Sequence, residues 1–278
     1  MRTAIGLDIG GTKIVGVLAD EEGRIIEKIR ALTEADKDFE TVMNNILDVI
    51  NKLDDGNVSS IGIGLPGIIN DDGLLFNCEN IPALENFNVA KEIEKQTGKK
   101  VFQENDANCF ALAEHNHGAG RGYQNVVGII IGTGIGAGVI KNNYLIRGDD
   151  GAKGEFGKMK IISNHEESFE DLCSGPAIVK RYKEAGGAVE AVGAKTIFDA
   201  IDEVAFKIID ETYKFLVEGI TYIIDSENPE IVVLGGGVSN QPLYDKLNEA
   251  IDRPVKVVKN ELGDDSGVLG AVQLVFHS

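Results

Sequence analysis

The chain has 278 residues, which is too long for one small core and suits two α/β domains. Its formal net charge of −18 repels phosphate backbones and anionic lipid, so nucleic-acid and membrane partners are disfavoured. The three cysteines are scattered and show no CxxC spacing, which is typical of a reducing compartment, and we expect a cytoplasmic protein.

The first part of the chain alternates short apolar strands with one-sided helices. "TAIGLDIG", "KIVGVLAD" and "RIIEKIRALT" are three strand-like runs joined by glycine-containing turns, which predicts an antiparallel meander. Residues 38–53 repeat apolar side chains at helical spacing. "VSSIGIGLPGIIN" and "KKVFQEN" are further strands, and "NVAKEIEKQTG" between them is a helix that ends at Gly98.

The pattern then restarts about 120 residues later. "IGGTKIVGV" begins at Ile9 and "IGTGIGAGV" begins at Ile131, and each has a glycine-rich bend between two apolar strands. The second part is richer in helix and ends in the strand "EIVVLGGGVS" and the closing helix "DSGVLGAVQLVF". We predict two duplicated βββαβα domains facing each other across a cleft. Their boundaries are 1–118 and 119–264, and the helix at about 265–278 packs back on the first domain.

Three glycine-rich turns are candidates for an ATP site. Backbone N–H groups in a turn without Cβ atoms can point at a phosphate, although a plain glycine hairpin explains each turn taken alone. Two matched loops at duplicated positions favour phosphate binding. Neither is a Rossmann fingerprint or a P-loop, because both lie between strands and GxxxxGK[ST] is absent. The candidates are Asp8 (also the ligand of Mg²⁺ through water), Gly10, Gly11, Thr12 and Lys13; Gly132, Thr133 and Gly134; and Gly235, Gly236 and Gly237, beside which an adenine would lie.

The segment "VFQENDANCFALAEH" contains the candidate catalytic group. Glu104, Asn105, Asp106 and Asn108 lie between the end of a strand and the start of a helix. Asn and Asp are excellent helix N-caps, so a purely structural role is physically sound. One cap needs only one side chain, however, and the excess of polar groups suits a polyol substrate. A carboxylate here would accept the proton of a sugar hydroxyl as it attacks the γ-phosphate.

These motifs together resemble a known family. "LDIGGTK", "ENDAN", "IGTGIGAG" and "VLGGGVS" are similar, in order and spacing, to the ROK family of bacterial sugar kinases and repressors, within the sugar kinase–Hsp70–actin superfamily. The resemblance extends from residue 3 to about 276 and implies two actin-like (ribonuclease H-like) domains around a central cleft. It also implies a homodimer that uses ATP and Mg²⁺ to phosphorylate a hexose, as an enzyme of the EC 2.7.1 type.

The resemblance further implies roles for individual residues. Asp106 matches the family's catalytic base. The residues that match or stand at sugar-binding positions are Gly67, Asn80, Asn105, Asp106, Glu155, Lys158 and Glu170.

One segment departs from the family pattern. Lys158 stands where relatives have a histidine that touches the sugar and ligates zinc, and the following "ISNHEESFEDLCSGPAI" holds a single cysteine. One cysteine with His165 cannot build the usual tetrahedral site, so we predict no structural zinc. Lys158 either donates to a sugar oxygen or pairs with Glu155 in the pocket, or it is a surface ion pair; the sequence leaves these alternatives open.

Two other functions are alternatives to the kinase. We expect the chain not to be a repressor of the same family, because a repressor needs a DNA-binding domain ahead of the first glycine loop and only two residues precede Thr3. The other alternative is a superfamily ATPase without sugar chemistry, such as an activase or an actin-like protein. An activase needs cysteines that hold an iron–sulfur cluster, of which this chain offers no clear pair, and "ENDAN" favours the sugar kinase. A sugar-sensing regulator that does not bind DNA stays open. The sugar itself is not readable from the chain, because sugar pockets differ by one or two hydrogen bonds. Glucose is the first choice, with a sugar 6-phosphate as product. N-acetylmannosamine or N-acetylglucosamine is the second.

Overall fold

The computed structural model describes residues 2–188 and 190–277. The chain divides into two structural units. The first takes in the residues up to Gly118, the segment Arg147–Lys153 and the residues from Asp264 onward, and the second takes in Ala119–Ile146 and Gly154–Gly263. Each unit has its own cluster of buried aliphatic side chains.

The first unit is built on a five-stranded sheet. The strands of the sheet in chain order are β1 (Thr3–Ile9), β2 (Lys13–Asp20), β3 (Ile25–Leu32), β4 (Ser60–Leu65) and β7 (Lys100–Asn105). Between β4 and β7, β5 (Ile68–Ile69) and β6 (Leu75–Phe76) form a separate two-stranded hairpin. The sheet order is β3-β2-β1-β4-β7. The first three strands form the predicted antiparallel meander, and β4 and β7 run parallel to β1.

The helices of this unit follow local sequence signals. Helix α1 (Phe39–Leu53) begins after Asp38, whose carboxylate accepts the N–H of Thr41, and it buries the apolar face that the spacing predicts. Helix α2 (Val89–Thr97) ends at Gly98, which has a φ of 68°. Helix α3 (Asp106–His117) follows β7 directly. These elements confirm the predicted order βββαβαβα.

The second unit repeats the sheet plan. Its strands are β8 (Val126–Ile131), β9 (Ile135–Lys141), β10 (Tyr144–Leu145), β11 (Ile231–Gly235) and β12 (Lys256–Lys259), in the order β10-β9-β8-β11-β12. The third strand of this sheet, β10, is only two residues long. The helices are α4 (Phe169–Cys173), α5 (Gly175–Glu184), α6 (Ala194–Phe198), α7 (Glu203–Glu227) and α8 (Tyr244–Ala250). The same strand order in both sheets supports the duplication predicted from the two glycine bends.

The closing helix α9 (Ser266–Phe276) belongs to the first unit, where it packs closely against α3 and β4. A Cβ on Gly62 would lie 1.7 Å from the carbonyl oxygen of Ala271, and one on Gly270 would lie 1.7 Å from that of Cys109. Any side chain at Gly62 or Gly270 would overlap these backbone oxygens. The two glycines therefore allow α9 to approach the sheet and α3 closely. Within the described ranges, no helix combines the length and the apolar character needed to cross a membrane.

Candidate active site

The register of the first sheet brings the predicted carboxylates to one edge. Asp8 on β1 lies beside Gly64 on β4, and Gly64 lies beside Glu104 on β7. Because these three strands are parallel, their carboxyl ends coincide, and the first glycine loop and the start of α3 follow from the same edge. All three carboxylates lie near the buried thiol of Cys109. Burial raises the pKa of this thiol most, and the charges of Glu104, Asp8 and Asp106 raise it further.

The start of α3 separates the capping role from the candidate catalytic role. The cap is Asn105, whose Oδ1 accepts the N–H groups of Ala107 at 2.9 Å and Asn108 at 3.3 Å. Its Nδ2 donates to the carbonyl oxygen of Gly67 at 2.8 Å. Asp106 is the first helical residue and is half-buried. Asp106 Oδ1 also accepts the N–H of Ala107 at 2.8 Å, but the N-cap is Asn105.

The polar side chains around Asp106 do not all face a ligand. Glu104 and Asn108 are buried, and Glu104 Oε1 accepts from the backbone N–H of Asn105 at 2.8 Å and from Asn108 Nδ2 at 3.1 Å. The surplus of polar groups that suggested a polyol is thus partly an internal network. Of the four, Asn105 and Asp106 are half-buried and the other two are buried, so fewer side chains can contact a sugar than the sequence indicates.

The first glycine loop is held by a residue that the sequence analysis missed. Thr33, buried at the end of β3, donates its hydroxyl to the carbonyl oxygen of Gly10 at 2.5 Å and its N–H to that of Thr12 at 3.3 Å. Gly11 lies against Asn80, whose carbonyl oxygen would be 2.7 Å from a Cβ at that position. The loop therefore lies beside one of the predicted sugar-binding residues, and both line an open concave surface with Thr12.

Asp8 is a candidate ligand for a hydrated Mg²⁺. Burial raises the pKa of its carboxyl, and the neighbouring Lys13 opposes that shift. A Cβ on Gly267, at the start of α9, would lie 3.0 Å from Asp8 Oδ2. A carboxylate at a strand end beside glycine loops is the kind of oxygen ligand that Mg²⁺ binds, commonly through water.

The glycine loops of the second unit also meet at one sheet edge. Gly235 on β11 pairs with Ile130 on β8, so both strands end together. Gly236 has a φ of 86°, and a Cβ there would lie 2.5 Å from the carbonyl oxygen of Ile131. A Cβ on Gly132 or Gly237, in contrast, would have no neighbour within 4 Å. These two positions keep their backbone open for a ligand, as a nucleotide loop requires.

Glu170 connects the second glycine loop with the segment that departs from the family pattern. Its Oε2 accepts the N–H of Ile135 at 2.6 Å, and its Oε1 pairs with Lys158 Nζ at 2.8 Å. A Cβ on Gly134 would lie 2.5 Å from the same Oε2. Lys158 thus pairs with Glu170, and its charge also lowers the pKa of Glu155. Glu155 begins a 3-10 turn (Glu155–Lys158) and is half-buried.

Comparison with known proteins agrees with this geometry. The model of the ROK family matches residues 4–278. The chain belongs to the ROK family. It is 34% identical to a glucokinase of Thermotoga maritima over 98% of this chain and 96% of that protein. It is 31% identical to an N-acetyl-D-glucosamine kinase of Haemophilus influenzae over 97% and 98% of the two chains.

A solved ROK structure has the same fold. The ROK family glucokinase of Streptomyces griseus, in complex with glucose and AMPPNP, superposes with a TM-score of 0.84 at 28% identity, covering 99% of this chain and 100% of that one. The expectation of actin-like α/β domains is confirmed by this likeness and by the two sheets described above.

In this ROK chain the segment after Lys158 is held by packing. Phe169 and Leu172 are buried, and a Cβ on Gly219 of α7 would lie 2.5 Å from the Phe169 ring. Ser168 and Asp171 form a capping box at the start of α4. Ser163 donates its N–H to Glu218 Oε1 at 2.6 Å. Apolar anchors, a capped helix and a backbone-to-carboxylate bond therefore give this segment a fixed conformation.

The absence of zinc stays a prediction with a direct test. Cys173 is fully buried, and burial raises the pKa of its thiol, which opposes the thiolate form that zinc binds. Among residues 2–188 and 190–277 no three His, Cys, Asp or Glu side chains group as a metal site. We expect purified protein to contain far less than one zinc per chain by elemental analysis. Chelator followed by Mg²⁺ should restore full activity, whereas bound zinc with irreversible loss in chelator would contradict the prediction.

Glu155 should make sugar affinity depend on pH. Burial raises the pKa of Glu155, Lys158 lowers it, and Glu170 raises it. A proton on Glu155 removes a hydrogen-bond acceptor, so KM for sugar should rise on acidification before an exposed glutamate would protonate. The higher folded-state pKa also means that protonation of Glu155 favours the folded state at low pH, so the effect is not acid unfolding by this group.

Replacing Lys158 tests the same electrostatic coupling. Lys158→Ala removes the opposing charge, so the rise in KM should begin at a higher pH than in the parent, as measured by KM profiles between about pH 5 and 8. Because the Lys158 side chain is 61% exposed, loss of its ion pair should change the free energy of unfolding by no more than about 1 kcal/mol. Lys160→Ala, which removes an exposed pair with Glu166, is the matched control. Identical profiles for parent and Lys158→Ala would leave Lys158 as a surface charge.

Proposed function

We propose that this protein transfers the γ-phosphoryl group of ATP to a hydroxyl group of a hexose, with glucose as the first substrate to test. The observation that carries the proposal is Asp106, a carboxylate at the start of α3 that the cap does not require and that shares a sheet edge with Asp8. Membership of a family whose matched relatives are named sugar kinases supports the reaction class.

The main task of the protein in this reaction is to position the sugar hydroxyl and the γ-phosphate. Phosphoryl transfer passes through a loose transition state, so binding in line and neutralising charge supply most of the rate. In this proposal Asp106 accepts the proton of the attacking hydroxyl, which contributes about 10²–10⁴-fold. The other residues proposed to bind the sugar are Asn80, Asn105, Glu155 and Glu170.

ATP is proposed to bind at the glycine loops, and Mg²⁺ to bind Asp8 through water. The backbone N–H groups around Gly11 and Gly132 would contact phosphate oxygens, and Gly237 leaves room for a flat base. Mg²⁺ would neutralise phosphate charge in the usual way of kinases. A relative bound to AMPPNP, an ATP analogue, supports ATP as the phosphoryl donor. A homodimer and a cytoplasmic location complete the proposal.

A second substrate class is favoured by one comparison. The relative named as an N-acetyl-D-glucosamine kinase is nearly as similar to this chain as the named glucokinase. Glucose and its 2-acetamido derivative differ at one carbon, and a site built to bond a hydroxyl can reject an analogue strongly. An N-acetylhexosamine, including N-acetylmannosamine, is therefore the second candidate.

The test is ADP release with ATP and Mg²⁺ across a panel of glucose, mannose, N-acetylglucosamine and N-acetylmannosamine. We expect release that depends on the hexose, with kcat/KM for one sugar at least about tenfold above the rest, which corresponds to one discriminating contact. A preference for an acetamido sugar would replace glucose by the second candidate. Release that is independent of sugar, or sugar binding without any turnover, would contradict the kinase and favour an ATPase or a sugar-sensing regulator.

A further inference from the structure

A short segment joins the first unit although both of its flanks belong to the second. This segment, Arg147–Lys153, contacts the first unit at Ile69 and Glu104. Gly151 has a φ of 75°, and a Cβ there would lie 2.2 Å from the carbonyl oxygen of Ile69. Arg147 Nη2 donates to the same oxygen at 3.0 Å, and its Nε lies 2.9 Å from Glu104 Oε2. The segment is therefore fitted closely onto β5 and the end of β7.

Glu104 is the buried carboxylate in this arrangement. It is only 5% exposed, and a buried charge is costly unless it is paired and hydrogen-bonded. Arg147 pairs with Oε2, while Oε1 accepts from the N–H of Asn105 and from Asn108 Nδ2. Both oxygens are thus used, one toward Arg147 and one toward the start of α3.

Asn105 makes a second connection between the start of α3 and the chain just before β5. Its Nδ2 donates to the carbonyl oxygen of Gly67 at 2.8 Å, two residues before the carbonyl that Arg147 contacts. Its Oδ1 caps α3. The two residues that precede Asp106 are therefore both held in place, Glu104 by its ion pair with Arg147 and Asn105 by its hydrogen bond to Gly67.

We propose that Arg147 is a positioning residue for phosphoryl transfer. Its ion pair with Glu104 and its hydrogen bond to Ile69 hold the start of α3, and with it the carboxylate of Asp106, against β5 and β7. The role in catalysis rests on the proposed function. A displacement of about 1 Å at a reacting group can cost about 10²-fold in rate, so loss of Arg147 should lower kcat more than it raises KM.

The experiment compares Arg147→Met, Arg147→Lys, Glu104→Gln and the Arg147→Met/Glu104→Gln double variant with the parent. Arg147→Met should lower kcat at least about tenfold and change KM for ATP less than about threefold. Arg147→Lys should recover part of kcat, because an ammonium can pair with Glu104 but lacks the guanidinium fork that reaches Ile69 as well. Arg253→Met, which removes an exposed pair with Asp225 at 2.6 Å in the second unit, is the control and should keep the parent's kcat.

The double variant shows whether the pair acts as one unit. Its kcat should be no lower than that of the worse single variant, because two residues of one network lose the same interaction. If Arg147→Met does not fold, the double variant can be measured in its place, because Glu104→Gln removes the buried charge that Arg147→Met leaves unpaired. Losses that multiply in the double variant would overturn the proposal, as would an Arg147→Met protein with parental kcat per folded molecule.

Amide hydrogen exchange over residues 103–112 gives a readout that needs no turnover. Arg147→Met should exchange faster there than the parent, and Arg253→Met should not. Unchanged exchange at the start of α3 would overturn the positioning role whatever the activity. A parent protein without hexose-dependent ADP release would instead contradict the proposed function, and exchange would still decide whether Arg147 holds α3.

Discussion

Asp106→Asn should lower kcat by at least about 10²-fold and leave sugar binding largely intact. An amide cannot accept a proton at neutral pH, whereas its shape and its hydrogen bonds to a sugar are close to those of the carboxylate. Because Asn105 is the cap, the change should spare the helix apart from the favourable charge of Asp106 near its N-terminus, worth about 0.3–1 kcal/mol. Steady-state kinetics and sugar titration calorimetry measure the two effects.

Two variants serve as controls for Asp106→Asn. Asn105→Ala removes the cap and should lower the free energy of unfolding by about 0.5–2 kcal/mol, so it shows what a structural defect at this helix start looks like. Asp48→Asn makes the same charge change on α1, where Asp48 forms an exposed pair with Lys52, and should leave kcat unchanged. Near-parental turnover by Asp106→Asn would remove Asp106 from the mechanism.

Gly132→Val should weaken ATP binding at least about tenfold and spare sugar binding. The position has no neighbour within 4 Å of a Cβ and no left-handed φ, so valine fits without displacing the protein. Its side chain would instead occupy the space through which the backbone N–H groups approach phosphate. Loss of one hydrogen bond to a charged group is worth about 1.5–3 kcal/mol, which is about 10–150-fold in Kd.

The contrast with Gly134 and Gly11 makes the test of the loop specific. A side chain on Gly134 would push against Glu170 at 2.5 Å, and one on Gly11 would push against Asn80 at 2.7 Å, both predicted sugar ligands. We therefore expect Gly134→Val and Gly11→Val to weaken sugar and ATP together. Gly193→Val, also in the second unit and with open space around it, is the matched control. ATP affinity unchanged in Gly132→Val would contradict a phosphate role for this loop.

The order of the elements and the glycine bends were readable from the sequence because their signals are local. Alternating apolar residues, the Asp38 and Gly98 helix signals and the repeat of "IGGT" as "IGTG" depend only on neighbours in the chain. Asp106 was also marked by a local signal, because its position between a predicted strand and a predicted helix depends only on neighbouring residues. The family resemblance added roles to positions that those local patterns had already marked.

The partners of those residues were decided only by the tertiary structure. Thr33 reaches Gly10 across the meander, Arg147 reaches Glu104 from a segment about 40 residues away, and Lys158 pairs with Glu170. Each contact depends on which strands pair and in what register. A one-residue shift in register turns side chains to the opposite face of a sheet, so no local pattern specifies such pairs. The sequence by itself determined the order of the elements and marked the candidate groups, and the fold decided which of those groups are held by other side chains.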